Sequence, residues 1–177
     1  RKNDILYLEL DGAMVHVRDK KDGDGWMESK HAIAFNSSDI RYYKSDDGKI
    51  TGHRIVNRDF TGYIGSAEDF KYHFYALAKR NDCDFCSELV VISDGALWIR
   101  DLVRELLPKA THILDLYHAK ENAGKFAQAV KRGKNQKKEY ADKLCSLIDK
   151  GNIQELLKEL EPYKDEKLSP GVINFYR

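Results

Sequence analysis

The chain has 177 residues, a net charge of +1, and 42% hydrophobic against 33% charged residues. That length suits one domain, or one domain and part of a second, with enough apolar residues to bury a core. The near-neutral charge excludes a global basic field, no apolar run approaches the ~18 residues of a membrane span, and three cysteines exclude a disulfide framework.

Residues 4–18 alternate on both faces, with Leu6, Leu8 and Leu10 pointing one way and Ile5, Tyr7, Val15 and Val17 the other. This pattern predicts a central strand covered on both sides. Asp11-Gly12 has the composition of a hairpin turn, but the run from Asp19 to Gly25 is a better one. Asp11 is therefore expected inside a long strand, with Gly12 as a bulge or a point of close approach. A carboxylate in the middle of a buried strand costs several kcal/mol unless compensated, and a cation is the expected compensation.

A second strand is predicted from Trp26 to about Phe35, and a third from Ile50 to Val56 beyond a polar stretch with Asp46-Asp47-Gly48. Together they make an antiparallel meander. Ser66-Ala67-Glu68-Asp69 reads as a capping box, and Phe70, Phe74, Leu77 and Ala78 recur at helical spacing over 66–80. The run 88–93 is a short buried strand. A helix over 97–107 carries Ile99, Leu102, Val103 and Leu106 and stops at Pro108.

Thr111 to Leu116 forms a fifth strand, and the helix over 117–131 turns Ala119, Ala123, Phe126, Ala127 and Val130 inward. After Gly133 the chain becomes rich in Lys and Glu. Two helical stretches over 134–161 carry Leu144, Leu147 and Ile148, then Ile153, Leu156, Leu157 and Leu160. The expected organisation is an α/β core over 1–133 and an all-helical segment over 134–177. Strands linked by helices are parallel by the crossover rule.

Chemistry concentrates at two Asp-Gly positions, Leu10-Asp11-Gly12 inside the first strand and Ser93-Asp94-Gly95 at the end of the fourth. Taken alone, Asp94 reads as a cap for the helix that begins near Ala96. With the opening strand beside the fourth, Asp11 and Asp94 meet, and two adjacent carboxylates do not both ionise without a cation. Hard oxygen donors of this kind suit Mg²⁺ or Mn²⁺. Cys83 and Cys86 form a single CxxC with no second pair to complete a zinc site, so they and Cys145 read as reduced cytosolic thiols.

Leu10 to Val17 and Val91 to Ile99 closely resemble the first and second acid motifs of the bacterial ISLre-type insertion-sequence transposases. Asp115-Leu116-Tyr117-His118 is similar to a motif those enzymes share with the Mutator-like and hAT transposases. The likeness extends to Tyr63-Ile64-Gly65-Ser66 and covers nearly the whole chain. It implies a ribonuclease H-like fold: a mixed five-stranded sheet, three strands antiparallel and then two parallel, flanked by helices, with the start of an all-helical insertion from 134.

The resemblance also implies a DDE-type transposase that cuts and joins DNA at transposon ends and targets. It would be bacterial, cytoplasmic, not membrane-bound, and a homo-oligomer at full length. Asp11 and Asp94 would be catalytic metal ligands for Mg²⁺ (or Mn²⁺), two ions in the complete enzyme, and His118 a catalytic group beside the site. The family's third acid, a glutamate, is expected beyond Arg177. Residues 1–177 are therefore expected to be a fragment, inert as a nuclease alone, with 134–177 its least anchored part.

Glu121, one turn after His118, is the acid able to substitute, against a simpler reading as a solvated helix residue. Asp115 reads as a helix cap, Trp98 as a core residue, and Lys131, Arg132, Lys134, Lys137 and Lys138 as a solvated basic face able to contact phosphates. Two alternatives stay open: a non-catalytic nucleic-acid-binding or interaction module of the same fold, and a ribonuclease H-like nuclease.

Overall fold

Alternating apolar residues draw β1 (Ile5–His16) into the middle of a sheet, between β2 (Trp26–Asn36) and the later β6 (Glu88–Ser93). The computed structural model describes residues 4–18 and 25–164. The elements that complete it are β3 (Ile40–Lys44), β4 (Ile50–Ile55), β5 (Asp59–Ile64), α1 (Ala67–Arg80), α2 (Leu97–Leu106), β7 (Thr111–Leu114), α3 (Leu116–Val130), α4 (Lys134–Asp149) and α5 (Ile153–Leu160). They form two compact units, Arg1–Ile113 and Leu114–Arg177.

The first unit is α/β. Its five-stranded sheet has the order β5-β2-β1-β6-β7. β2 runs antiparallel to both β1 and β5, while β6 runs parallel to β1. One face carries Leu6, Leu8, Leu10, Ala32, Ala34 and Val91 against Phe70, Phe74 and Leu77 of α1 and Ile99, Leu102 and Val103 of α2, all buried. The apolar spacing in both helices matches this use. Ser66 accepts from the Asp69 amide at 3.1 Å and starts α1 as its cap.

The third strand of the sheet is β5, which corrects the expectation for 50–56. That segment is β4, and it pairs with β3 in a separate two-stranded ribbon. Residues 41–51 are exposed, so the ribbon has no buried face and no apolar alternation by which to recognise it. Its turn is a real one: Gly48 has φ +81° and donates to the Ser45 carbonyl at 2.8 Å, a conformation glycine adopts without a steric cost.

Two expectations for β1 also change. Pairing with β2 runs without a break from Leu6–Asn36 to His16–Trp26, so Gly12 is not a bulge. It is a point of close approach, where an added Cβ would meet Glu28 Oε1 at 2.5 Å. Burial ends at Leu10, and Asp11, Ala13, Met14 and His16 are exposed. Asp11 therefore escapes the desolvation cost expected of it.

The second unit is helical. Ala123 and Phe126 of α3, Leu144 and Leu147 of α4, and Leu156 and Leu160 of α5 bury one another. The stripes after Gly133 thus find partners on α3, contrary to the expectation of poor anchoring, although Ile153 and Leu157 stay exposed. Residues 165–177 lie outside the described residues.

Candidate functional site

The last paired residues of β1 and β6 are Leu10 and Ser93; Asp11 follows within β1, and Asp94 follows just past the end of β6. Neighbouring strands lie about 4.8 Å apart, and side chains alternate between faces. Leu10 and Ser93 belong to the face under α1 and α2; Asp11 continues β1 on the opposite face, and Asp94 is the first residue past the end of β6. Asp11 Oδ1 accepts from the Gly12 amide at 2.8 Å, and Asp94 Oδ1 from the Ala96 amide at 2.9 Å. Each carboxylate thus has one oxygen engaged by local backbone.

The turn after β6 brings Asp94 to this position. Gly95 has φ +85°, where a side chain would be strained, and it swings the chain into α2. Ala96, not Asp94, is the residue before the helix. Ser93 braces the turn: its hydroxyl meets His112 Nε2 of β7 at 2.9 Å and accepts from the Gly95 amide at 3.3 Å. Burial, reinforced by the Arg104 charge, pushes the His112 imidazole down from its usual range.

Strand pairing adds a residue that a single-strand reading misses. His31 of β2 lies directly across from Asp11 and is exposed. Its Nε2 meets Ser29 Oγ at 2.8 Å, and Gly62 of β5, its other cross-strand partner, leaves its ring room, since a Cβ there would sit 3.1 Å from Nδ1. The signal was present in the alternation of β2 but needed the register to become useful. Asp11 and His31 thus face each other across β1 and β2, and Asp94 follows the end of β6, the strand on the other side of β1. Among the described residues, no three His, Cys, Asp or Glu side chains form a group that could hold a metal ion.

One residue before His31 in β2, on the helix face, lies a buried cation. Lys30 Nζ donates to Glu28 at 2.6 Å and to the Gly65 carbonyl at 2.8 Å, and stands 5.3 Å from the centre of the Trp98 ring. Trp98 packs edge-on against Phe70 at 5.9 Å, a core role as its sequence position indicates.

The remaining candidates lie in the helical unit. Asp115 caps α3, accepting from the amides of Tyr117 at 2.6 Å and His118 at 3.2 Å. His118 Nδ1 is 3.8 Å from Glu121, whose other oxygen takes Lys125 Nζ at 2.9 Å. The Lys125 ammonium, with His118 adding to it, holds the Glu121 carboxyl below its usual range. Glu121 is thus engaged in a helix-surface ion pair. Lys131 donates to Tyr163 at 2.6 Å and lies 4.3 Å from the centre of the Tyr140 ring, so it belongs to the packing of this unit. Cys83 is buried and Cys86 half-buried; desolvation pushes both thiols up and disfavours the thiolates that a metal requires.

A protein-family model described as Uncharacterised protein family (UPF0236) matches residues 1–169. No curated protein matches the chain.

Proposed function

The chain belongs to that family over nearly its whole length, and we propose that it is the catalytic core of a DDE-type DNA transposase with a ribonuclease H-like fold. The observation that carries the reading is the pairing of Leu10 with Ser93, because Asp11 directly follows the one and Asp94 the other. The strand order β5-β2-β1-β6-β7 supports it, because the central strand and its parallel neighbour are the two that bear the acids. The motif resemblances at Asp11, Asp94 and Asp115–His118 point the same way.

The donor set fits Mg²⁺ or Mn²⁺ in kind, since both side chains offer hard oxygens and the site is open. Asp11 and Asp94 would hold the ion, which supplies Lewis acidity toward a phosphodiester when bound. The chain's own part is positional. Strand pairing fixes the backbone at Asp11, the Ser93–His112 brace holds the turn that carries Asp94, and His31 offers a ring nitrogen beside Asp11 for a proton or a phosphate oxygen. His118, in the helical unit, is proposed on the motif resemblance alone as a group that contacts DNA.

Mn²⁺ is expected to raise the melting temperature, because a ligand that binds only the native state stabilises it. Asp11→Asn and Asp94→Asn should each abolish that rise and leave apo stability equal or higher, since they remove carboxylate repulsion. Titration calorimetry showing equal Mn²⁺ binding by wild type and both variants would end this reading. It would leave a non-catalytic module, in which the two acids serve only the turn hydrogen bonds to Gly12 and Ala96.

A further inference from the structure

The β3–β4 ribbon carries a charge arrangement that its own fold does not explain. Arg41 and Arg54 are directly opposite each other in the antiparallel pair, and both are exposed. Like charges in that position destabilise a ribbon. Among the described residues, no carboxylate answers Arg41, Arg54, Lys44 or Arg58. The acid at the turn, Asp47, is taken by Lys49 at 2.9 Å.

Between residues 40 and 58 there are five Lys and Arg against two Asp, in a chain whose net charge is only +1. Alternation puts Tyr43 on the same face as the two arginines, lying across Gly52, whose missing Cβ would be 3.8 Å from the ring. The opposite face pairs Tyr42 with His53, ring centres 6.4 Å apart.

We propose that this ribbon is a duplex-DNA contact, with Arg41 and Arg54 gripping backbone phosphates. Phosphates supply closely spaced negative charge, which turns the Arg41–Arg54 opposition from a repulsion into a clamp. A two-stranded ribbon has the width the major groove accepts, and arginine forks match phosphate oxygens. The ribbon leaves the sheet where Asn36 pairs with Leu6, five residues along β1 from Asp11 and so about 17 Å away. It is a separate hold on DNA. The choice of DNA as the polyanion rests on the transposase reading.

The test is fluorescence anisotropy of a labelled duplex in EDTA, repeated over a range of salt. Arg41→Ala/Arg54→Ala should weaken binding and flatten the plot of log affinity against log salt by about 2. Single Arg41→Gln and Arg54→Gln variants, which keep side-chain length on the ribbon, should each remove about 1. A Lys109→Ala/Lys158→Ala control, which removes two exposed charges elsewhere, should leave the slope unchanged.

An unchanged slope in the arginine variants, equal flattening in the control, or no duplex binding by wild type would overturn the proposal. So would binding of polyglutamate, but not duplex, through the same arginines, which would assign the ribbon to an acidic protein. The arginine variants should keep wild-type Mn²⁺ binding by calorimetry. Loss of the salt effect with Mn²⁺ binding intact therefore separates failure of the ribbon from failure of the metal site.

Discussion

Lys30 is the residue whose environment departs most from its chemistry. Its side chain is 4% exposed, paired with a Glu28 that keeps 36% exposure. A buried pair is weak evidence for stability, because desolvation offsets the attraction, yet removing one partner strands the other. Lys30→Met should therefore unfold in urea within about 1 kcal/mol of wild type, while Glu28→Ala should cost roughly 3 kcal/mol. Equal costs would mean that Glu28 does not hold the ammonium. The pair also bears on the candidate site from below, since Glu28 fills the space an alanine at Gly12 would need, beside Asp11.

At the scale of elements, the junction of β5 with α1 is tied by Asp59. It accepts from the Arg80 guanidinium, with the second contact at 3.1 Å, and from Asn81 at 3.0 Å. The Arg80 hydrogen bond is the main cause that holds the Asp59 carboxyl down at about 2. The unfolded chain therefore takes up this proton first as pH falls. The contribution is fully present above about pH 4 and is lost between about pH 4 and pH 2. Asp59 is more than a third exposed, so solvent screens the pair and the effect is small. Asp59→Asn should flatten the acid limb of a stability–pH curve over that window and lower the plateau above about pH 4 by the same small amount. An identical acid limb in the variant would refute the linkage.

At the scale of the molecule, two separate cores imply two separate sensitivities. Leu144, fully buried among Phe126, Leu156 and Leu160, supports the helical unit; Phe74, equally buried, supports the sheet unit. Leu144→Ala should cost about 2–5 kcal/mol and Phe74→Ala about 3–5 kcal/mol. Amide hydrogen exchange should locate the losses differently: in α3, α4 and α5 for the first, and in β1, β2, β6 and α1 for the second. Uniform loss of protection in both variants would show one cooperative unit. The units divide at Ile113/Leu114, ahead of the change in composition at Gly133, because α3 buries Ala123 and Phe126 against α4 and α5.

Periodicity alone determined the helices, whose apolar stripes match the buried residues of α1 and α2. It also determined β6 over 88–93 and the position of Asp11 inside a continuous strand. These are local properties, since a side chain's face follows from its place in a period of 3.6 or 2. Only the tertiary structure decided that β5 rather than β4 completes the sheet, because an exposed ribbon and an edge strand carry no distinguishing apolar pattern. Register was likewise beyond a one-dimensional reading. Leu10 beside Ser93, with an aspartate after each, His31 opposite Asp11, and Arg41 opposite Arg54 are facts about which strands pair and at which residue. Hydrogen bonding between segments distant in the chain sets that alignment, and with it the level at which the candidate site and the ribbon's charges come together.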